Sequence, residues 1–284
     1  MDQEYKKLID NIRAGHSEEI ISVSFSGDGQ FVASGSIYDI KIWEISTRSC
    51  LRTIQSQSGW VTGISFSDDG KYIASAYGSC FGVGDNLVKI WDVNTGSIVH
   101  TLQGHSGRLA SVSFSSDSQF VVIGSEDKSV MIWEVGTRSC VRTLQGHSGW
   151  VESVSFSGDS KYIASGSSDK SVKIWDVQNG ECVRTIQGHS DWITQVLFSV
   201  DCKYIISGSY DKSLKIWDIN SGICIDTIKI FDTIERDFYL HLFRLEKLIA
   251  PNWTLYMIIS RGFSTFSNQA LIDSNLFLSV RDFL

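Results

Sequence analysis

An Ile-Trp pair followed by an acid recurs five times in this chain, at Trp43-Glu44, Trp91-Asp92, Trp133-Glu134, Trp175-Asp176 and Trp217-Asp218, with spacings of 48, 42, 42 and 42 residues. So regular a period means one supersecondary unit, repeated, each copy burying its apolar face on the next. Gly-His recurs in the same phase at Gly15-His16, Gly104-His105, Gly146-His147 and Gly188-His189, with Ser56-Gln57 in the second slot. These markers bound repeats at 15–55, 56–103, 104–145, 146–187 and 188–229. Residues 1–14 form an N-terminal segment, 15–230 the repeat domain and 231–284 a tail that fits no repeat.

Within a unit the pattern is that of short strands. In the fourth, Val151 to Phe156 alternates, Gly158-Asp159-Ser160 turns, and Tyr162 to Ser165 makes a second strand. Ser168-Asp169-Lys170 turns again, Val172 to Val177 is a third strand, Asn179-Gly180 is a hairpin signal, and Cys182 to Ile186 is a fourth. The chain holds 24 Gly but a single Pro, Pro251, which fits tight turns rather than linkers. Four strands in about 42 residues describe one blade of a β-propeller.

With its Gly-His start and Trp-Asp end, the chain resembles the WD-repeat (WD40) β-propeller family over residues 8–230. The resemblance implies an all-β propeller of four-stranded blades. Five repeats are clear, and the ring is either incomplete or carried up to seven blades by degenerate blades in the divergent C-terminal tail. It also implies that the last strand of each sequence repeat forms the outer edge of the next blade, offsetting repeats from blades. Leu8 to Ile12 stands where a ring-closing outer strand is expected. The tail has one Gly and ten aromatics; Phe238, Leu242, Leu245 and Ile249 repeat at helical spacing, and two apolar runs follow. Degenerate blades and out-of-frame sequence both remain open for it.

His147, Ser165, Asp169 and Trp175 in the fourth repeat, and His189, Ser207, Asp211 and Trp217 in the fifth, imitate a Ser-His-Asp triad. The family's structural tetrad, running from indole to hydroxyl to imidazole to turn carboxylate, is what the resemblance implies for them. A nucleophile repeated blade after blade and tied to an indole argues for scaffold, so no catalytic residue is expected. In the third repeat Ile123 stands where the hydroxyl should be, between His105 and Trp133, while Asp127 is kept. The first repeat is one residue short before Trp43, which puts Asp39 out of phase with His16 and Ser34. The second lacks the His and carries six extra residues in a loop over 77–84, read as a tolerated insertion or a binding protrusion.

Function classes narrow further. A net charge of −7 argues against general nucleic-acid binding, and no run approaches about 18 consecutive apolar residues, so no membrane insertion is expected. The N-terminal residues lack a signal-peptide core, and six cysteines without one read as reduced thiols of the cytoplasm or nucleus. No phosphate loop, His-Glu-x-x-His or Cys-x-x-Cys occurs, so neither metal nor cofactor is expected, and no small-molecule substrate. The phased lysines (41, 89, 173, 215) and arginines (52, 142, 184) read as solvated edges.

The family's contact positions map here onto Glu19, Trp60, Arg108, Trp150 and Trp192; Ile21, Thr62, Ala110, Glu152 and Thr194; and Tyr38, Gly84, Glu126, Ser168 and Tyr210. Trp, Tyr and Arg dominate interface energetics, which singles out Trp60, Arg108, Trp150, Glu152, Trp192 and Tyr210 as partner-binding residues. The expected function is a non-catalytic scaffold, a WD-repeat subunit of a multiprotein assembly that takes peptide or protein partners on the propeller's top face. The alternatives are a serine hydrolase using one His-Ser-Asp set and a non-functional truncated fragment.

Overall fold

The computed structural model describes residues 3–56, 59–78 and 86–229. Blade 1 is β1 (Ile20–Phe25), β2 (Phe31–Ser36), β3 (Asp39–Glu44) and β4 (Ser49–Gln55). Blade 2 is β5 (Trp60–Phe66), β6 (Tyr72–Gly78), β7 (Leu87–Asp92) and β8 (Ile98–Gln103). Blade 3 is β9 (Leu109–Phe114), β10 (Phe120–Ser125), β11 (Val130–Glu134) and β12 (Ser139–Leu144). Blade 4 is β13 (Val151–Phe156), β14 (Tyr162–Ser167), β15 (Ser171–Asp176) and β16 (Cys182–Gln187). Blade 5 is β17 (Ile193–Phe198), β18 (Tyr204–Ser209), β19 (Ser213–Asp218) and β20 (Cys224–Lys229).

Each blade is an antiparallel meander with strands in sequence order. Every blade therefore lies inside one repeat as bounded by Gly-His, which corrects the expected offset. The outer strand hairpins directly onto the Trp strand of its own repeat: Trp175 pairs with Cys182 and Trp217 with Cys224, each beside a bulge. A short hairpin is the cheapest antiparallel partner available, so the outer strand stays at home.

The core lies between blades rather than within them. Each blade offers its Trp and neighbouring apolar residues upstream and a second apolar face downstream. Val122, Val130, Ile132 and Leu144 of blade 3 thus pack on Val151, Val154, Phe156, Ile163 and Trp175 of blade 4. The same arrangement joins blades 1 and 2, 2 and 3, and 4 and 5. Close approach at these seams requires glycine: a Cβ on Gly166 would sit 2.6 Å from Ile193. The inner strands stack in series, β1 on β5, β5 on β9, β9 on β13 and β13 on β17. Among the described residues no packing of that extent returns from β17 to β1, so five blades make an arc.

Serines stitch the inner strands. Ser22 Oγ accepts the N–H of Ile64 across the first seam, Ser65 that of Phe114, Ser111 that of Val154 and Ser153 that of Val196. The phased arginines also act here, contrary to the solvated-edge reading. Arg52 donates to the carbonyls of Asn94 and Thr95, Arg142 to those of Val177 and Gln178, and Arg184 to those of Asn220 and Ser221. Each guanidinium clamps the turn after the next blade's Trp strand; five donors in a rigid fork suit two adjacent carbonyls. Lys89 is likewise buried, its Nζ 5.2 Å from the Tyr77 ring centroid and 5.8 Å from that of Trp91.

The upstream end of the arc departs from expectation. Residues 3–15 form a helix, α1 (Gln3–Gly15), where the closing strand at Leu8 to Ile12 was expected. Leu8 and Ile12, one turn apart on one helix face, pack on Val32 and Trp43 of blade 1, the place a preceding blade takes elsewhere. The segment therefore covers apolar surface with side chains instead of pairing a strand edge. The tail 231–284 and most of the 77–84 loop lie outside the described residues.

Candidate partner-binding face

Three blades hold a complete tetrad. In blade 4 the Trp175 indole N–H donates to Ser165 Oγ at 2.8 Å, that hydroxyl meets His147 Nε2 at 2.7 Å, and His147 Nδ1 meets Asp169 at 2.8 Å. An indole can only donate and a carboxylate only accept, so Ser165 donates to His147, whose Nδ1–H donates to Asp169. Blade 5 repeats this through Trp217, Ser207, His189 and Asp211, each contact at 2.7 Å. Gly188 must lack a side chain because a Cβ there would lie 2.9 Å from Trp217.

Blade 1 is also complete, which corrects the reading of Asp39 as out of phase. His16 Nδ1 lies 2.6 Å from Asp39, His16 Nε2 2.6 Å from Ser34, and the Trp43 indole 2.8 Å from Ser34. Asp39 opens β3, the place Ser171 takes in blade 4, as pairing with Gln55 and Gln187 shows. The shorter turn moves the carboxylate one residue along the chain, and it still reaches the imidazole.

The carboxylates are anchored by several donors at once. Asp169 receives His147, the Ser148 and Ser171 N–H groups and the Ser171 hydroxyl. Burial works to raise its pKa, but the bonds from His147 and Ser171 outweigh this and hold it well below the usual range. Asp39, Asp127 and Asp211 are lowered in the same way against their burial. His16 and His189 are pushed below the usual histidine value, since burial outweighs their carboxylate partners. Ser165 and Ser207 are fully buried.

Blades 2 and 3 each keep half of the network. Blade 2 retains the Trp91 indole on Ser75 Oγ at 2.7 Å, and Ser75 donates to the Lys89 carbonyl. Tyr77 fills space nearby, and burial pushes its pKa up to about 12. Blade 3 retains His105 on Asp127 at 2.8 Å, but Ile123 leaves His105 Nε2 and Trp133 Nε1 buried without partners.

The turns above these networks carry the residues singled out for partner binding. Trp150 and Trp192 are 41 % and 39 % exposed, and their rings meet edge to face at 5.7 Å. Tyr210 continues the row 6.2 Å from Trp192, its N–H bonded to the Trp192 carbonyl. Ser168 Oγ accepts the N–H of Trp150, fixing that turn. One blade upstream Arg108 pairs with Glu126 at 3.1 Å. Glu152 lies within the field of that pair; burial and Glu126 raise its pKa while Arg108 opposes them, and its carboxylate has no hydrogen bond among the described residues. The structure thus gathers Arg108, Trp150, Glu152, Trp192 and Tyr210 along blades 3 to 5. Trp60 is half-buried at the start of β5 on blade 2, paired with Gly78. Among the described residues no group of His, Cys, Asp and Glu has a metal-binding arrangement, and no helix is long and apolar enough to cross a membrane. The five described cysteines are free thiols. The clamps of Arg52, Arg142 and Arg184 escaped sequence reasoning, although their shared phase with the Trp residues was the available signal.

Comparison with known proteins points the same way. Short stretches are similar to the nuclear distribution protein nudF of Aspergillus niger (32 % identity over 69 residues; 23 % of this chain, 16 % of that protein). The nuclear distribution protein PAC1 of Mycosarcoma maydis matches at 43 % over 53 residues, 18 % of this chain and 12 % of that protein. The nudF protein of Emericella nidulans matches at 34 % over 70 residues, 23 % of this chain and 16 % of that protein. The chain thus covers less than a fifth of the length of these relatives. The family described as WD domain, G-beta repeat matches residues 7–44, 48–92, 96–134, 138–176 and 180–218. Each segment ends at a Trp-acid pair; the last four begin before the preceding blade's outer strand and the first begins within α1, so the offset absent from the Gly-His repeats belongs to this framing. Together they cover more than half of the chain, which belongs to the WD40 repeat family.

Proposed function

We propose that the chain is a non-catalytic interaction scaffold, a subunit of a larger protein assembly, that takes a peptide or protein partner on the turns of blades 3 to 5. The observation that carries this is the row Trp150, Trp192 and Tyr210, three aromatics with ring centroids 5.7 and 6.2 Å apart and both tryptophans over a third exposed. Exposed aromatics held by backbone bonds contribute large contact area at low entropic cost, the usual makeup of interface anchors. Glu152 adds a half-buried carboxylate without a hydrogen bond among the described residues, and Arg108 with Glu126 forms a polar rim. Trp60 on blade 2 extends the same face. Against a hydrolase stands the placement of Ser165 and Ser207. Both hydroxyls are buried, and each is bound by an indole and an imidazole of its own blade.

Affinity purification of the full chain beside a Trp150→Ala/Trp192→Ala variant tests the proposal. Partners lost from the variant at unchanged thermal midpoint are expected. An identical partner set would move the binding surface elsewhere, and labelling of either protein by a fluorophosphonate serine probe would revive the hydrolase reading.

A further inference from the structure

Each inner strand shifts register once against its neighbour, and the residue skipped there holds the same place in every blade. These bulged residues are Ile21, Thr62, Ala110, Glu152 and Thr194. A bulge re-aims its side chain away from the regular pleat. Thr62 and Thr194 use theirs within the sheet, donating to the carbonyls of Ala76 and Gly208. Ile21 and Ala110 carry no polar side chain. Blade 4 alone places a charge at this position.

That charge is short of a counterpart. Glu152 is half-buried, and its carboxylate has no hydrogen bond among the described residues. Arg108 acts on it from blade 3 but is already bonded to Glu126 at 3.1 Å, so one guanidinium serves two carboxylates. Lys170, on the turn between β14 and β15 of the same blade, donates to the Ser190 carbonyl at 2.8 Å. Covering a half-buried carboxylate further is costly unless the cover brings a cation. Two residues before Glu152 stands Trp150, first of the row that continues through Trp192 and Tyr210. A tryptophan face attracts a cation through its quadrupole, most strongly where water is excluded. Carboxylate and aromatic rings therefore call for the same chemical group, and the net charge of −7 steers a basic partner toward the chain.

We propose that the partner taken on blades 3 to 5 is a basic peptide segment, whose lysine or arginine cation is set against Glu152 and the exposed tryptophans. This rests on the reading of that face as the binding surface and adds the chemistry of what it takes. An acidic or wholly apolar segment would bury Glu152 without a counter-charge.

The test pans a displayed library of random dodecapeptides on the full chain. The enriched peptides are then synthesised and titrated against wild type, Glu152→Gln, Glu152→Lys and Trp150→Ala/Trp192→Ala. Peptides that share a lysine or arginine are expected, bound about tenfold or more weakly by Glu152→Gln and more weakly still by Glu152→Lys. Glu152→Gln should keep or raise the thermal midpoint, because it removes a half-buried charge, so the lost binding is not lost folding. Enriched peptides without a shared basic residue, or basic ones that Glu152→Gln binds as well as wild type, would overturn the proposal. If the tryptophan variant no longer binds those peptides, the binding face itself survives. Peptides bound equally by the tryptophan variant, or no enrichment above it, would sink the face and the proposal together. A midpoint lowered by Glu152→Gln would give the carboxylate a role in the fold and count against the proposal as well.

Discussion

Blades 3 and 4 share a fold, a turn and three of four tetrad residues, and differ at one position. In both, the imidazole sits 2.8 Å from the turn carboxylate, which also binds the next N–H and a serine hydroxyl. With Ser165 the network runs on to Trp175; with Ile123 it stops, leaving His105 Nε2 and Trp133 Nε1 buried and unpaired. Blade 2 breaks the other way, keeping Trp91 on Ser75 without a histidine. The tetrad is therefore two modules joined at a hydroxyl. A turn module holds imidazole and carboxylate, a strand module holds indole and hydroxyl, and a blade stands with either one alone. Seam packing does not depend on the join, because Ile123 and Trp133 sit in the same apolar cluster between blades 2 and 3.

The largest expected effect comes from carrying the defect of blade 3 into blade 4. Ser165→Ile should cost roughly 3–4 kcal/mol, since it orphans His147 Nε2 and the Trp175 indole and also overfills a site built around serine. The measurement is a urea midpoint with unchanged m-value. A loss below about 1 kcal/mol would mean that the join contributes nothing even where it exists.

Next in size is the turn module on its own. Asp169→Ala removes the acceptor of four donors and should cost roughly 2–3 kcal/mol. If the modules are independent, Asp127→Ala in blade 3 should cost the same within about 0.5 kcal/mol. A clearly smaller loss in blade 3 would show that the carboxylate acts through the hydroxyl, and the two-module division would fail.

Acid tests the same carboxylates and imidazoles together. His16 and His189 have folded pKa values below 6.5, so the unfolded chain takes up protons first as pH falls, and stability is complete above that value and declines below it. The lowered Asp39, Asp127, Asp169 and Asp211 add a second decline below 3.8, as the unfolded carboxylates protonate before the folded ones. The urea midpoint should be level above pH 7, sag gently between 6.5 and 5 and fall steeply below 4. A midpoint that rises on moving from pH 7 to 5 would contradict the buried neutral imidazoles.

Much of this was legible in the sequence, because the features that set it are periodic. Strand number, turn positions and the tetrads of blades 4 and 5 follow from residues such as His147 and Trp175 recurring in phase. What escaped was set by geometry that spacing does not encode. A one-residue deletion before Trp43 breaks the count but not the contact, since Asp39 slides into the serine position opening β3. Leu8 to Ile12 is short and apolar at both ends, where strand and helix patterns coincide, and the contact of Leu8 and Ile12 with Val32 and Trp43 that goes with the helix is not encoded in spacing. Arg52, Arg142 and Arg184 look solvated in one dimension because the carbonyls they clamp belong to the next blade.

The smallest effect is the most discriminating. Ile123→Val removes one buried methyl group and should cost roughly 0.5–1.5 kcal/mol. Ile123→Thr has the same shape as valine but offers a hydroxyl, which in an ordinary core costs a further 1–3 kcal/mol for want of partners. At this site two orphaned groups flank the side chain, an indole N–H that can only donate and an imidazole nitrogen that can accept, the pair served by Ser165 in blade 4. Threonine should therefore match or exceed valine, by up to about 1 kcal/mol, and Ile123→Ser should fall close to wild type because its two regained bonds offset lost apolar burial. Double-mutant comparison with Trp133→Phe, which removes the indole donor, should erase part of the threonine advantage. If threonine is instead less stable than valine by more than about 1 kcal/mol, blade 3 has closed around its isoleucine, and the two modules can no longer be rejoined by one hydroxyl.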